Sequence, residues 1–437
     1  MQLNDSLRKL GSPFLLLWMG STISMVGTLI VEFALSVWVF QQTGSVLDFS
    51  GMLVAATLPS LFILPFAGSF ADRFDRRYIM IASDSVAAVM TLILAFLLFK
   101  ESLQVWHLYV FNFVASISGA FQAPAYEAAA SAALSKDQMV RANGLMGASE
   151  SLLSIFAPLS ASALLGIIDL SGIVLLDLVT FCIGTVFVLI AVGLIPSVAV
   201  ASEKPLIQSA LIDFSKAMSF FKEQRLMLGL LVYGAIQNSL VTLASIMITP
   251  LVLANHSALE LGVVMTWGAV GSLVGSGLLI VKGNSKKLMV SFLICDVILS
   301  LCILIAGGIN SVGLYSVCAF IAMLAGTAGD GCSGALWMRK VPLESQGRIF
   351  ALLGTVMTLS IPIVSVLGGF VADHVFEPAL SPGGVWAESI GAWLGIGKGL
   401  GMRLIFVISG VLGIVVSLSA LSRPHFRNVD NFVPDRN

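Results

Sequence analysis

The sequence predicts an all-α membrane protein with twelve transmembrane helices in two pseudo-symmetric six-helix bundles. Three observations carry that reading. Hydrophobic residues fill 57% of the 437 positions and charged residues only 11%, against roughly 45–50% and about 25% in soluble domains. Apolar runs near the ~20 residues that cross a bilayer as a helix recur twelve times. Residues also repeat at an offset of 207: Gly119, Asp137, Arg141 and Gly147 fall on Gly326, Glu344, Arg348 and Gly354, and Gly27 and Gly68 on Gly234 and Gly275. Spans must be helical because hydrocarbon offers backbone groups no water.

In order, the apolar runs lie near 13–40, 48–71, 78–100, 104–132, 142–167, 170–195, 226–253, 259–281, 288–308, 311–338, 348–372 and 401–421. The first is too long for a signal peptide and lacks a small-residue cleavage site after it, so it is expected to remain in the protein. Residues 1–195 then form an N-terminal six-helix bundle, 196–225 a linker, and 226–437 a C-terminal six-helix bundle with a tail. Six plus six is the parallel-repeat plan of large secondary transporters.

Placing the N-terminus inside puts twenty of the 23 Lys and Arg residues in cytoplasmic segments, leaving only Lys100, Lys398 and Arg403 elsewhere. The positive-inside bias therefore predicts two cytoplasmic termini. In the linker, Ile207, Leu211, Phe214, Met218 and Phe221 recur at helical spacing, which predicts an amphipathic helix on the inner membrane surface. His374–Gly399 is the one long outer loop, and Trp386, Ile390 and Trp393 are expected to share an interfacial face.

Charge placement inside the spans is one-sided. No Lys or Arg sits deep in a run, whereas Glu32, Glu127, Glu150, Asp177, Asp296 and Asp330 do. An intramembrane charge is a functional-site hypothesis by default. An anionic substrate would call for an intramembrane base, so a neutral or cationic one fits better.

One stretch breaks the apolar pattern: "GSFADRFDRR", Gly68–Arg77, between the second and third runs. It resembles the fingerprint loop of the major facilitator superfamily, which reads Gly, three residues, Asp-Arg, any residue, Gly, then two basic residues. Gly68, Asp72, Arg73, Arg76 and Arg77 match, and Asp75 replaces the second Gly. That variant, Thr43-Gly44-Ser45, and Ala120–Ala129 ("AFQAPAYEAA") are similar to the proton-linked drug antiporter branch that contains macrolide efflux proteins.

The resemblance implies a gating contact. Asp72 would meet the positive N-terminus of the eleventh span, and Arg73, Arg76 and Arg77 would hold helix C-termini. Asp84 is placed to pair with one of these arginines; the alternative is that the charges only fix topology and cap helices. The resemblance also places Glu32 on a cavity-lining helix, as first choice for binding a proton or a cationic substrate. Glu127 and Asp330, on equivalent helices of the two halves, and Glu150, near Ala157-Pro158, are further coupling candidates. Trp18, Met25, Gln237, Asn238 and Trp267 are candidate cavity contacts, whereas Asp177 and Asp296 fall on peripheral spans and read as structural. Ala115 stands where family members often carry Arg, so no scheme using that Arg transfers.

Other chemistry finds no support. Cys182, Cys295, Cys302, Cys318 and Cys332 lie within spans without paired spacing, the four His are scattered at loops, and no nucleotide-binding Gly-rich motif occurs. The expectation is a monomeric, multi-pass inner-membrane transporter of a bacterial type, not an enzyme. It would have no cofactor, a proton gradient as energy source, no nucleic-acid partner, and a small amphipathic drug or natural product as exported substrate. A lysophospholipid-like substrate and a non-transporting receptor or scaffold remain alternatives.

Overall fold

Long apolar runs in which every backbone group must find its partner locally leave helices as the only solution. The computed structural model describes residues 10–73, 75–135, 138–195, 218–282, 287–394 and 398–432. Its first long helices are α1 (Ser12–Thr43), α2 (Val46–Arg73), α3 (Arg76–Phe99) and α4 (Val105–Ala132). The helix Met139–Leu194 follows, with 56 residues. At 1.5 Å per residue it would run about 84 Å, far beyond a hydrocarbon core of about 30 Å. It breaks at Asp169, where φ is 53° and ψ is −179°. The two arms are α5 (139–168) and α6 (170–194).

Next come α7 (Arg225–Leu253), α8 (Ala258–Lys282), α9 (Leu288–Gly308), α10 (Val312–Lys340), α11 (Leu343–Val371) and α12 (Leu400–Ser422). Among the described residues, ten stretches are long and apolar enough to cross a membrane, the kinked 141–194 counted as one. α4 has the length but a more polar make-up, with Asn112, Ser116, Gln122 and Glu127 along it.

The chain clusters into two compact units. The first holds residues 1–42 and 51–206; the second holds 43–50 and 207–437. In the first unit, α1 and α6 cross backbone to backbone. A Cβ built on Gly20 would stand 2.7 Å from the Gly184 carbonyl oxygen, and one on Gly184 2.6 Å from that of Gly20. Close approach through small residues is how membrane helices gain packing without a hydrophobic driving force. Phe14, Leu17, Met80, Ala125 and Ala191 are buried around one end of this crossing, and Val31, Leu35, Leu108 and Ile173 around the other.

In the second unit, α8 and α10 meet just as closely, since a Cβ on Gly271 would fall 2.1 Å from the Phe320 carbonyl oxygen. Ser272 and Thr327 join the same two helices by a 2.8 Å hydrogen bond. Most of the expected linker helix lies outside the described residues; its last turn, 218–223, is helical and buries Phe221 edge-on against Trp337.

The outer-loop expectation needs correction. The chain after α11 is partly helical: Ala372–Phe376 forms a π-helical turn, continued by Glu377–Leu380, and Gly391–Leu394 adds another turn after the bends of 381–390. Trp386 and Ile390 pack with Leu380, Leu400 and Leu404, whereas Trp393 is 78% exposed. The three do not share a face, because the turns between them interrupt helical phase.

Helix ends in this unit are closed by side chains from elsewhere in the chain. The two Glu377 carboxylate oxygens accept Gly399 N at 2.6 Å and Gly401 N at 2.9 Å at the start of α12. Arg403 donates to the Gly307 and Gly308 carbonyls at the end of α9. At the other end of α9, the Asp430 carboxylate accepts Met289 N at 3.1 Å while its carbonyl accepts Lys340 Nζ at 2.7 Å. These charges complement helix termini that carry partial charge of opposite sign.

Replacing Glu377 by Ala strips α12 of both acceptors, and hydrogen bonds to charged groups contribute about 1.5–3 kcal/mol each. The expected outcome is a melting temperature in detergent lowered by several degrees, with Glu377→Gln losing less. Equal melting of Glu377→Ala and the parent, by scanning fluorimetry, would rule this cap out as a stabilising element.

Candidate functional site

Glu32 sits on α1 and is exposed, as is Thr28 one turn before it. A charge turned toward acyl chains costs several kcal/mol, so an accessible intramembrane acid belongs against a water-filled space. Around the same stretch of the first unit, Trp18 Nε1 donates to Ser149 Oγ at 3.1 Å, joining α1 to α5. Ser149 is the neighbour of Glu150. Tyr126 of α4 bonds to Ser21 of α1 and stands in the field of Glu150. Glu127 and Glu150 are both exposed, and Met25 is half-buried. α1, α4 and α5 thus gather Glu150, Tyr126, Trp18 and Ser149 into one polar cluster, with Glu32 several turns along α1.

The fingerprint loop is described in part. The side chains of Gly68, Asp72, Arg73 and Arg76 lie outside the described ones, and so does the gating contact expected of them. Asp75 caps α3, its Oδ1 accepting Arg77 N at 3.0 Å. The Arg77 guanidinium donates to the carbonyl of Ile195, the residue that ends α6. Asp84 is buried, and Gln122 Nε2 of α4 donates to its Oδ1 at 2.6 Å. Of the arginines expected to pair with Asp84, Arg73 and Arg76 have side chains outside the described ones; the partner described is the amide of Gln122 on the neighbouring α4.

In the second unit, Asp330 on α10 is exposed. Gln237 is not available as a cavity contact: it is 4% exposed, and its amide donates to Ser300 of α9 at 2.8 Å. Asn238, the next residue and so on another side of α7, donates to Ser360 Oγ at 2.8 Å and to the Met357 carbonyl of α11. Trp267 is half exposed and packs edge-on against Phe320.

Residues 43–50 belong to this unit, and Asp373 holds them. Its Oδ2 accepts Ser45 Oγ and Leu47 N, both at 2.8 Å, and its Oδ1 accepts Val46 N at 3.1 Å. Three donors at the start of α2 are thus taken by one carboxylate on the π-turn that follows α11. The chains touch so closely that a Cβ on Gly369 would lie 2.9 Å from Leu47 Cα.

The sequence and the fold resemble those of known proteins. The description of the Major Facilitator Superfamily fits residues 17–365. The chain belongs to the major facilitator superfamily. Macrolide efflux protein A of Streptococcus pyogenes is 26% identical over 369 residues, covering 83% of this chain and 90% of that protein. Macrolide efflux protein A of Enterococcus faecalis is 26% identical over 319 residues, covering 71% and 97%. Among solved structures, the nucleoside transporter NupG superposes with a TM-score of 0.67 over 96% of this chain and 99% of that one, at 10% identity. A bacterial homolog of the human lysosomal transporter Spinster, inward-facing and unoccupied, gives 0.65 over 96% of each chain at 17% identity. Those two likenesses speak for the fold alone.

As a major facilitator protein, the chain is a multi-pass membrane transporter: it moves a solute rather than making or breaking bonds in it. The superfamily fingerprint and the acids were readable from sequence, but Tyr126, Ser149, Gln122 and Asp373 were not. Their signal is pairing across helices, which spacing along one helix does not carry. Asp373 had a faint cue, an acid at the end of a span, without any hint that its partner lay over 300 residues earlier in the chain.

Exchanging Asp373 for Ala leaves the first amides of α2 without their acceptor. Hydrogen–deuterium exchange of a peptide covering Val46–Ser50 is expected to speed up about tenfold, the equivalent of one lost bond near 1.4 kcal/mol. Unchanged exchange there would mean that α2 starts stably without Asp373.

Proposed function

We propose that this transporter exports amphipathic, neutral or cationic compounds, macrolide-like molecules among them, in exchange for protons by alternating access. One observation carries the substrate side: the relatives that align over 90% and 97% of their own lengths are macrolide efflux proteins. The chemistry of the spans agrees with it. Glu32, Glu127, Glu150 and Asp330 are accessible acids on spanning helices, suited to attract a cation or to take up a proton. Among the described residues the two buried basic side chains are committed: Arg403 to helix carbonyls and Lys340 to the Asp430 carbonyl. Neither is offered to a phosphate headgroup, which ranks a lipid substrate second. Proton exchange, export direction and cytoplasmic termini are parts of the same proposal.

Glu32 is the residue assigned the proton or the cationic end of the substrate. In everted membrane vesicles with a pH gradient, the wild-type protein is expected to accumulate a radiolabelled macrolide. Glu32→Gln is expected to lower that accumulation on the order of tenfold or more, the loss typical of removing a working acid–base group. Gradient-driven accumulation equal to wild type would remove Glu32 from the mechanism; no macrolide movement by either protein would remove this substrate class.

A further inference from the structure

Two carboxyls that the sequence assigned to structural duty turn out to be the most deeply buried of the intramembrane acids. Asp177 on α6 is 5% exposed and Asp296 on α9 is 6% exposed. Their surroundings differ in kind. Asp296 faces donors: the Tyr233 hydroxyl gives it a 2.6 Å hydrogen bond and is itself within 3.0 Å of Ser417 Oγ. That bond supports one oxygen of the Asp296 carboxyl.

Asp177 is only half supplied. Its Oδ2 receives one long bond, 3.4 Å, from Thr91 of α3, and its Oδ1 is buried with no hydrogen-bond partner. Two hydroxyls stand close by. Thr28 of α1 is a hydrogen-bonding neighbour of the Asp177 side chain. Thr180 Oγ1 flanks the same gap beside Gly27 as Asp177 Oδ1, at 2.1 and 2.7 Å from where a Cβ on Gly27 would be. In this arrangement both hydroxyls direct their hydrogen elsewhere, Thr28 to the Ser24 carbonyl at 3.2 Å and Thr180 to the Asp177 carbonyl at 2.9 Å, and turn lone pairs to the gap. An ionised Asp177 then leaves Oδ1 without a donor, whereas a neutral one has an O–H to give and acceptors to take it. Buried polar groups are paired as a rule, and with the hydroxyls so turned the protonated acid is the form that pairs.

We infer that Asp177 is a proton-binding carboxyl that exchanges its proton with Glu32 along the Thr28 face of α1. Thr28 and Glu32 are one turn apart and both exposed, while Asp177 lies behind them at the α1–α6 contact. Glu32 is the charged group that acts on Asp177 across this contact; α3 contributes the uncharged Thr91. In the transfer, the Asp177 O–H bond breaks and leaves a carboxylate, and an O–H bond forms on the Glu32 carboxylate. Water at Glu32 then accepts that proton. Asp177 thereby holds a proton out of solvent while Glu32 meets the solvated side.

This inference rests on the proton-coupled reading above, and two readouts separate their fates. The first is the infrared carbonyl stretch of protonated carboxylic acids in purified protein. Asp177→Asn, which keeps the size of the neutral acid, is expected to remove one such band at neutral pH. The second is transport in proteoliposomes. Asp177→Asn is expected to lose gradient-driven accumulation of the macrolide about tenfold while keeping gradient-free exchange of labelled for unlabelled macrolide within about twofold, which a merely structural role would not separate. An unchanged infrared band overturns the inference, and so does full gradient-driven accumulation by Asp177→Asn. If the wild type shows the band but no response to a pH gradient, proton coupling fails while Asp177 stands as a proton-binding site. Thr28→Val, which removes the acceptor and keeps the side-chain shape, is expected to shift the same band and covers the case of a poorly folded Asp177 variant; an unshifted band counts against the inference.

Discussion

Helix termini in a chain that crosses hydrocarbon are the constraint on which the rest of this structure depends. Within a span every amide is paired along the helix, but each end leaves four donors or four acceptors over. This protein closes several of those ends with charged side chains from distant parts of the chain. Asp373 takes the first amides of α2, Glu377 those of α12 and Asp430 one at the start of α9. Arg403 and Arg77 take carbonyls at the ends of α9 and α6. Only 11% of the residues are charged, and many of those described act on helix ends. A helix end presents its partial charge at a defined point and direction, so each such contact fixes both the position and the rotation of a span.

Against that scaffold, the intramembrane acids divide by surroundings. Glu32, Glu127, Glu150 and Asp330 reach the accessible surface, while Asp177 and Asp296 do not. An accessible acid can meet solute and solvent; a buried one can only meet neighbours, and the donors or acceptors among those neighbours decide which protonation state it suits. Tyr233 supplies one oxygen of Asp296 with a donor, whereas Oδ1 of Asp177 is left without a partner.

Much of the architecture was legible from composition and run length. The spans from 226–253 to 311–338 agree with α7 to α10 within three residues at either end, since the cost of unpaired polar backbone in hydrocarbon is large and local. The break between the fifth and sixth spans was placed at 167–170, where Asp169 leaves helical geometry. Less legible were the turns after α11, where short helical pieces interrupt phase and scatter Trp386 and Trp393 to different sides. The candidate site was legible only as residue types. Gln237 and Asn238 are adjacent and chemically alike, yet one is packed against α9 and the other bonded to α11, and nothing along α7 distinguishes them.

Hydropathy and charge alone determined that this chain is a bundle of spanning helices, where most of them begin and end, and which acids lie within them. Those are properties of segments, set by transfer from water to hydrocarbon residue by residue. Tertiary structure alone decided which helix ends are capped by Asp373, Glu377, Asp430 and Arg403, which acids reach the molecular surface, and what Asp177 finds around its carboxyl. These depend on directional contacts between helices far apart in sequence, and a hydrogen bond of 3 Å has no counterpart in a one-dimensional pattern.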